Sequence, residues 1–406
     1  MNHINNRYLL WLRFNGSLFN GFASSGGNAY GVMDFLNPAM ENVLAKKNID
    51  QMKLWPCSRT DTGVHVLRAP IIMNIPSKYG RIDEYKDELL KEINYVFDNY
   101  YPNSMECFDF HYVSPGFCAR KHARYRRYVY RLRVAKTQEW YEHFLHSPSI
   151  HCFSERFYSY TTKAGFNVEK ANEACRILSG INNIASFMKD PLSQRRKYIK
   201  KLHVQKELNL VRFTQGEPIN GIEDPHFDYY NFEVVSRSFV REQIRRMIRI
   251  IVKCGYEDRY FDQLKIMLRY PDPQTFIELG HRAMSGKGLY LVDVVYDKDD
   301  FKNPMPYMAQ ELDTYLNKVV SVITGDGRNF VGLMKGYDQT VNIILENSHE
   351  RVYRGEQLGV EQVELGLYVV RGDNVAVIGE LDEDLDRQII FEHLKVKPLE
   401  PFWVPN

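Results

Sequence analysis

Ser58-Arg59-Thr60-Asp61-Thr62-Gly63-Val64-His65 places one carboxylate in a polar loop, beside arginine and two residues ahead of glycine. Glycine lets the backbone turn tightly there. An aspartate next to a guanidinium stays ionised, the state a carboxylate nucleophile requires. A solitary loop aspartate more often caps a helix or turn, so the octapeptide needs support from the sequence on either side.

Upstream, Tyr8–Phe14 is an apolar run that predicts a strand, closed by the turn pair Asn15-Gly16. Residues 34–47 and 84–99 have helical periodicity, with Leu36, Met40, Val43 and Leu44 recurring on one face. Downstream, 124–134 alternates basic and aromatic residues as a strand does, and 168–179 predicts another helix. The spacing predicts one more helix over 238–254. Val240, Ile244, Met247, Ile248 and Ile251 form its apolar stripe, and Arg241, Arg245 and Arg249 recur at every fourth position. Strands and helices alternating in this way indicate an α+β or α/β architecture.

The chain of 406 residues carries a formal charge of only +2, but that charge is unevenly spread. Residues 301–406 hold 10 Lys and Arg against 17 Asp and Glu, a balance of −7, which leaves +9 on residues 1–300. The basic excess in the front part favours an anionic partner. The six cysteines (57, 107, 118, 152, 175 and 254) make no C-x-x-C pair, so zinc is not expected and reduced thiols are. No run of 18 apolar residues occurs, so no membrane partner is expected, and the first residues lack a signal-peptide pattern. An intracellular protein is the expectation.

Asp61-Thr62-Gly63 also spells the D-T-G of aspartic proteases. Those need a second copy so that two carboxylates share a proton; Cys-Ser-Arg-Thr precedes this one and no second copy exists. The full octapeptide instead resembles the R-T-D-x-G-V-H motif of TruA-family pseudouridine synthases. Three more motifs of that family follow in its order: Phe117-Cys-Ala-Arg-Lys-His-Ala-Arg-Tyr-Arg-Arg-Tyr-Val-Tyr130, Ser238-Phe-Val-Arg-Glu-Gln-Ile-Arg-Arg-Met247, and Gly288-Leu-Tyr-Leu291 with Val294 and Tyr296. The resemblance implies isomerisation of a uridine in RNA, with tRNA as partner and no cofactor. Asp61 is then the nucleophile, Arg245 its ion-pair partner, Tyr128 the ring that stacks on the flipped base, and Arg59 the side chain that fills the space it leaves. The basic set Arg120, Lys121, Arg124, Arg126, Arg127, Arg195, Arg196 and Lys197 is expected to meet phosphates. The sequence departs from the family at Phe14-Asn15-Gly16, Gly21-Phe-Ala-Ser-Ser, Asn183 and Met284-Ser-Gly286, which points to the eukaryotic pseudouridine synthase-like branch.

From about 297 the character changes. A polar stretch with two prolines reads as a linker over 298–307, and a short helix and five closely spaced strands follow, near 318–324, 328–337, 341–347, 361–370 and 375–381. Asp326-Gly-Arg-Asn-Phe-Val-Gly332 with Lys335-Gly-Tyr-Asp-Gln-Thr-Val-Asn-Ile-Ile-Leu345 is similar to the first Sm motif, and Leu367-Tyr-Val-Val-Arg-Gly-Asp-Asn374 to the second. The surroundings resemble the eighth like-Sm (LSm) subunit of the ring on U-six small nuclear RNA. That resemblance implies partners in a hetero-heptameric ring and small nuclear RNA. Asn342 would bond a uracil edge and Arg371 stack on it or hold it, with weaker stacking where Thr340 replaces an aromatic.

The expected architecture is an α+β pseudouridine synthase fold over 1–297, mixed sheets flanked by helices around a central RNA cleft. An all-β Sm-like five-stranded barrel with an N-terminal helix follows over 308–406. Met308 stands where a free Sm-like protein would start, so one polypeptide and two separate products both stay open. So do a nuclear site for the Sm-like part, a mitochondrial one for the synthase part, and a non-catalytic RNA-binding alternative with an inactive synthase domain.

Overall fold

The computed structural model describes residues 5–23, 30–58, 60–147, 155–189, 204–219, 221–302, 312–337, 342–355, 359–394, 396–397 and 399. Contacts divide the chain into two units, Met1–Lys302 and Asn303–Asn406.

In the first unit, β1 (Asn5–Phe14) lies between two neighbours and is apolar throughout its middle because both faces are covered; Tyr8 to Leu12 are all buried. Helix α1 (Val32–Ala45) follows, started by Asp34 Oδ2, which accepts the Gly31 N–H at 2.8 Å. Then come β2 (Lys53–Pro56), β3 (His65–Pro76), α2 (Lys86–Tyr100) and β4 (Met105–Val113). The second half holds β5 (Tyr125–Ala135), α3 (Gln138–His146), β6 (Tyr160–Thr162) and α4 (Val168–Leu178). It continues with β7 (Gly180–Asn183), β8 (Gln205–Leu208), β9 (Leu210–Gln215) and β10 (Phe227–Ser236). Helices α5 (Gln243–Cys254), α6 (Arg259–Arg269) and α7 (Pro273–Glu278), β11 (Leu289–Val295) and α8 (Asp299–Lys302) complete the unit.

The main sheet runs β4-β1-β3-β11-β5-β10-β9, with β2 against β3 and β6 against β5. Strand β11 joins two antiparallel halves: it is antiparallel to β5 and parallel to β3, pairing Tyr290 with His65 and Leu291 with Val66. The octapeptide ends where β3 begins, so it is delivered to the seam between the halves.

Helix α5 starts at Gln243, later than the expected 238. Glu242 takes the left-handed conformation (φ 62°). The Val240 N–H donates to Gln243 Oε1 (3.0 Å) and the Arg241 carbonyl accepts from Lys189 N (3.0 Å), so this backbone is used outside the helix. Arg241 therefore precedes the helix, and only Arg245 and Arg249 keep their helical spacing. Residues 299–302, polar enough to be assigned to the linker, form α8, and Phe301 packs on Phe117 (5.1 Å) and His111 (5.0 Å). Cys57, Cys107, Cys118, Cys175 and Cys254 are free thiols.

The second unit is a five-stranded antiparallel sheet in the order β15-β14-β13-β12-β16. Its strands are β12 (Val319–Thr324), β13 (Asn329–Tyr337), β14 (Ile343–Tyr353), β15 (Val360–Val370) and β16 (Val375–Glu380). The third strand, expected to stop at 347, continues to Tyr353 through a bend at Asn347 (φ 50°) and a register shift against β15. Leu312, Val320, Val322, Phe330, Met334, Ile343, Leu345 and Val370 form the core. The expected N-terminal helix, with Met308, lies mostly outside the described residues; buried Leu312 and a short turn at Asp313–Tyr315 precede β12.

His281 ties α5 and α6 together. Lys253 Nζ donates to its Nδ1 (2.9 Å), and its Nε2–H donates to Gln263 Oε1 (2.8 Å), which requires a neutral ring. Burial, then Lys253 and Arg249, bring its pKa down to about 4. The folded state thus resists a proton that the unfolded chain accepts below about 6.5, so stability is lost as pH falls through that value. The first unit should lose about 2 kcal/mol between pH 7 and pH 5 from this residue. Denaturant titrations of wild type and His281→Gln should show a shallower pH slope in the variant; equal slopes would refute the assignment.

Candidate active site

The loop between β2 and β3 is fixed on several sides. The Thr60 carbonyl accepts from Phe22 N (3.1 Å), Thr62 Oγ1 donates to Asn20 Oδ1 (2.6 Å), and Val64 N donates to the Asp61 carbonyl (3.2 Å). Gly63 turns the chain at φ 78°. His65, buried at the loop's end, accepts the Gly16 N–H at Nδ1 (3.2 Å). Its Nε2 lies 2.9 Å from the Phe157 carbonyl and 3.1 Å from that of Lys287, so the proton sits on Nε2. Burial lowers the pKa of this ring, in keeping with a neutral pin between the halves of the sheet. Gly286 meets the loop so closely that a Cβ there would stand 2.2 Å from the Thr62 carbonyl oxygen.

Arg245, on the first turns of α5, donates to Asp61 Oδ2 twice, from Nη2 at 2.6 Å and Nε at 3.0 Å. Both bonds land on one oxygen, and Oδ1 takes no protein hydrogen bond among the described residues. Asp61 keeps 31 % of its side chain exposed against 15 % for Arg245. The guanidinium is aimed by two further acceptors, the Met284 carbonyl (2.9 Å) and Glu242 Oε1 (3.4 Å). Glu242 also pairs with Lys189 and Arg246, each at 3.3 Å. Burial pulls its pKa upward, but Arg245, Lys189 and Arg246 together outweigh that and hold it below the ordinary carboxylate value. The left-handed backbone at Glu242 costs about 1–2 kcal/mol, and these ion pairs hold it there.

Tyr128 lies in mid-β5, opposite Val234 on β10 and Leu291 on β11, with its ring edge-on to Phe239 at 5.2 Å. Burial pushes its hydroxyl up to about 12, Arg126 pulls it down, and the charge of Asp61 adds to the rise. The phenol is therefore neutral and within electrostatic reach of the carboxylate. The structure thus brings together Asp61, Arg245 and Tyr128 from segments far apart in sequence; Arg59 lies outside the described residues.

The basic set is partly spoken for. Arg124 pairs with Asp297 (3.2 Å) and Asp300 (3.7 Å), Arg127 pairs with Glu233, and Arg126 is buried. Arg120 is exposed, and Arg195, Arg196 and Lys197 lie outside the described residues. Glu242, Phe239 and the Met284 carbonyl were not singled out from sequence. Glu242 and Phe239 stand inside the motif at 238–247, but their tasks depend on the left-handed turn, which helical periodicity hides.

In the second unit, Asn342 Oδ1 accepts the Gly372 N–H at 2.9 Å, tying the start of β14 to the turn after β15. Exposed Arg371 adjoins that glycine and lines a cleft of about 560 Å³ with Thr324, Arg328, Tyr368 and Asn374. Thr340 lies outside the described residues. Among the described residues no group of three or more His, Cys, Asp or Glu side chains is placed to hold a metal.

The family described as tRNA pseudouridine synthase matches residues 174–297, and the LSM domain matches residues 310–380. Human "U6 snRNA-associated Sm-like protein LSm8" is 56% identical over 92 residues, spanning 95% of that protein and 23% of this chain. Xenopus laevis "tRNA pseudouridine synthase-like 1" is 25% identical over 318 residues, 98% of that protein and 77% of this chain. The chain joins a part that matches the pseudouridine synthase family to a part that belongs to the Sm-like family. A solved heptameric archaeal Sm protein also aligns with the Sm-like part at 29% identity, over 97% of its own chain and 18% of this one, with a TM-score of 0.16. The synthase part carries the Asp61 loop and α5, and the Sm-like part carries Asn342 and Arg371.

Because Gly286 touches the Thr62 carbonyl, Gly286→Ala should displace the loop of the synthase part. We expect a loss of roughly 1–3 kcal/mol in thermal or denaturant unfolding. An unchanged unfolding midpoint would show that the contact yields easily.

Proposed function

We propose that the synthase part converts uridine in tRNA to pseudouridine through a covalent adduct on Asp61. The observation that carries this reading is the Arg245–Asp61 pair, which binds one carboxylate oxygen and leaves the other without a donor among the described residues. Arg245 orients the carboxylate, and Oδ1 attacks the nucleotide. The base detaches, rotates and rejoins through carbon. Substrate and product are isomers, so the reaction consumes no water, electron or carrier group. A base inside a stack is out of reach, so the nucleotide must be extruded at a cost of a few kcal/mol. Neutral Tyr128 packs against the extruded base, and Arg59 takes the space it leaves. The balance of +9 on residues 1–300 favours the phosphate backbone.

For the Sm-like part the proposal is a subunit of a hetero-heptameric Sm-like ring that holds uridine-rich small nuclear RNA in the nucleus, for pre-mRNA splicing. Asn342 would read a uracil edge and Arg371 stack on it or hold it. Strands β15 and β16 are the two edges of the sheet, and Leu367 (72 % exposed), Val369 and Val377 present apolar side chains on them. Open edges with apolar side chains are surfaces that a neighbouring strand covers.

Tritium release from ring-labelled uridine in tRNA tests the first proposal. Wild type should release the label, and Asp61→Ala should lower the rate by at least about a thousandfold, the scale seen when a nucleophile is removed. Release surviving in Asp61→Ala would refute the nucleophile, and RNA binding without release by wild type would favour a binding subunit. For the ring, wild type should co-purify with other Sm-like subunits, whereas Leu367→Glu with Val369→Glu should not, at unchanged circular dichroism. A lone wild-type chain would count against the ring.

A further inference from the structure

Two residues along β5 from Tyr128, and on the same strand face, Arg126 is 6 % exposed. Among the described residues its guanidinium donates only to neutral oxygens: Ser58 Oγ at 3.2 Å, the Arg120 carbonyl at 2.9 Å and the Arg237 carbonyl. The equally buried Arg246 and Arg351 each pair with a carboxylate, Glu242 and Asp386. Burying a cation without a counter-charge is costly. Arg133, 1 % exposed, also donates to a neutral oxygen, Thr161 Oγ1, but lies 4.0 Å over the Phe227 ring, whereas Arg126 sits beside the Asp61 loop through Ser58. A second cation converges on it. Lys206 on β8, half-buried, places Nζ 2.5 Å from Ser238 Oγ and forms no ion pair among the described residues. Burial first, and then Arg126 and Arg237, lower its pKa; no acid counters them.

Arg126, Lys206 and two serine hydroxyls thus share one place with no carboxylate among the described residues. Each hydroxyl already accepts from a cation, so its own O–H remains to be donated. Ser58 stands three residues from Asp61, and Arg126 lies about 7 Å along the strand from Tyr128, on the order of one nucleotide step. We propose that Ser58, Arg126, Lys206 and Ser238 form a subsite for a single phosphodiester of the RNA backbone, next to the nucleotide held at Asp61. Lys206 supplies a point charge, Arg126 the buried field, and the hydroxyls donate to phosphate oxygens. This deepens the synthase reading and rests on it.

The test uses the full chain and an unmodified tRNA transcript, titrated between 50 and 200 mM KCl. Lys206→Met keeps the aliphatic stem and removes the charge. It should reduce the slope of log affinity against log salt by about 1 and weaken binding about five- to eightfold at 0.1 M salt. Lys206→Arg should stay near wild type. A Lys206→Met slope equal to that of wild type overturns the subsite. Should Lys206→Met fail to fold, wild type answers the same question by acetylation with an amine-reactive ester and mass spectrometry. Lys206 should be labelled in free protein and protected by saturating transcript; labelling that persists overturns the subsite. A wild type that shows the slope change on substitution but releases no tritium removes the catalytic reading and leaves the subsite supported.

Discussion

A guanidinium gripping one oxygen of a carboxylate is the constraint on which the synthase part is arranged. Arg245 reaches Asp61 across 184 residues of sequence, and everything that aims Arg245 serves that contact. Glu242 holds it from the side, Met284 from behind, and α5 supplies an apolar face that fastens the helix to the sheet. On the other side, His65 and Gly286 keep the loop from moving away. An ion pair with this much exposure contributes little to stability by itself. Its value lies in orientation, which the proposed role of Asp61 as nucleophile needs.

Much of this was legible in the sequence, and for identifiable reasons. Strand β1 and helices α1, α2 and α4 were readable because their apolar periodicity matches their burial. The meeting of Asp61 with Arg245 and Tyr128 was expected only from the order of motifs, since neither periodicity nor charge indicates which distant residues touch. Where local interactions overrode periodicity, the reading slipped. Val240 looks helical because it continues the stripe of Ile244 and Ile248, yet the left-handed turn at Glu242 ends that continuity. Charge counting overstated the free cations, since Arg124 and Arg127 are matched by acids whose positions only the fold discloses. Phe301 gave no local signal of docking, because its partners Phe117 and His111 come from other segments.

The two units differ in how they use charge. The synthase part buries Arg246 against Glu242 and, among the described residues, Arg126 against neutral oxygens alone. The Sm-like part is acidic overall and pairs its buried Arg351 with Asp386. The turn after β15 is tied to the start of β14 where Asn342 meets Gly372. Opposite net charges within one chain are therefore compatible with an RNA-facing role for both, since the field that matters is local.

The placement of β11 has a consequence for how the molecule is made. This strand closes the seam of the sheet, yet it is separated by more than 200 residues from the β3 segment it lies beside, and the turn just before it carries the Lys287 carbonyl that His65 reaches. Such pairing waits until nearly all of the unit has left the ribosome, because distant contacts form late and pay for loop closure first. Until then the end of the loop bearing Asp61 lacks its pairing of His65 with Tyr290, although its bonds to Phe22 and Asn20 are local. A nascent chain halted before residue 289 would hold the whole octapeptide and its local bonds but not the strand that joins β3 to β5, so the loop is anchored to both halves of the sheet only when β11 arrives.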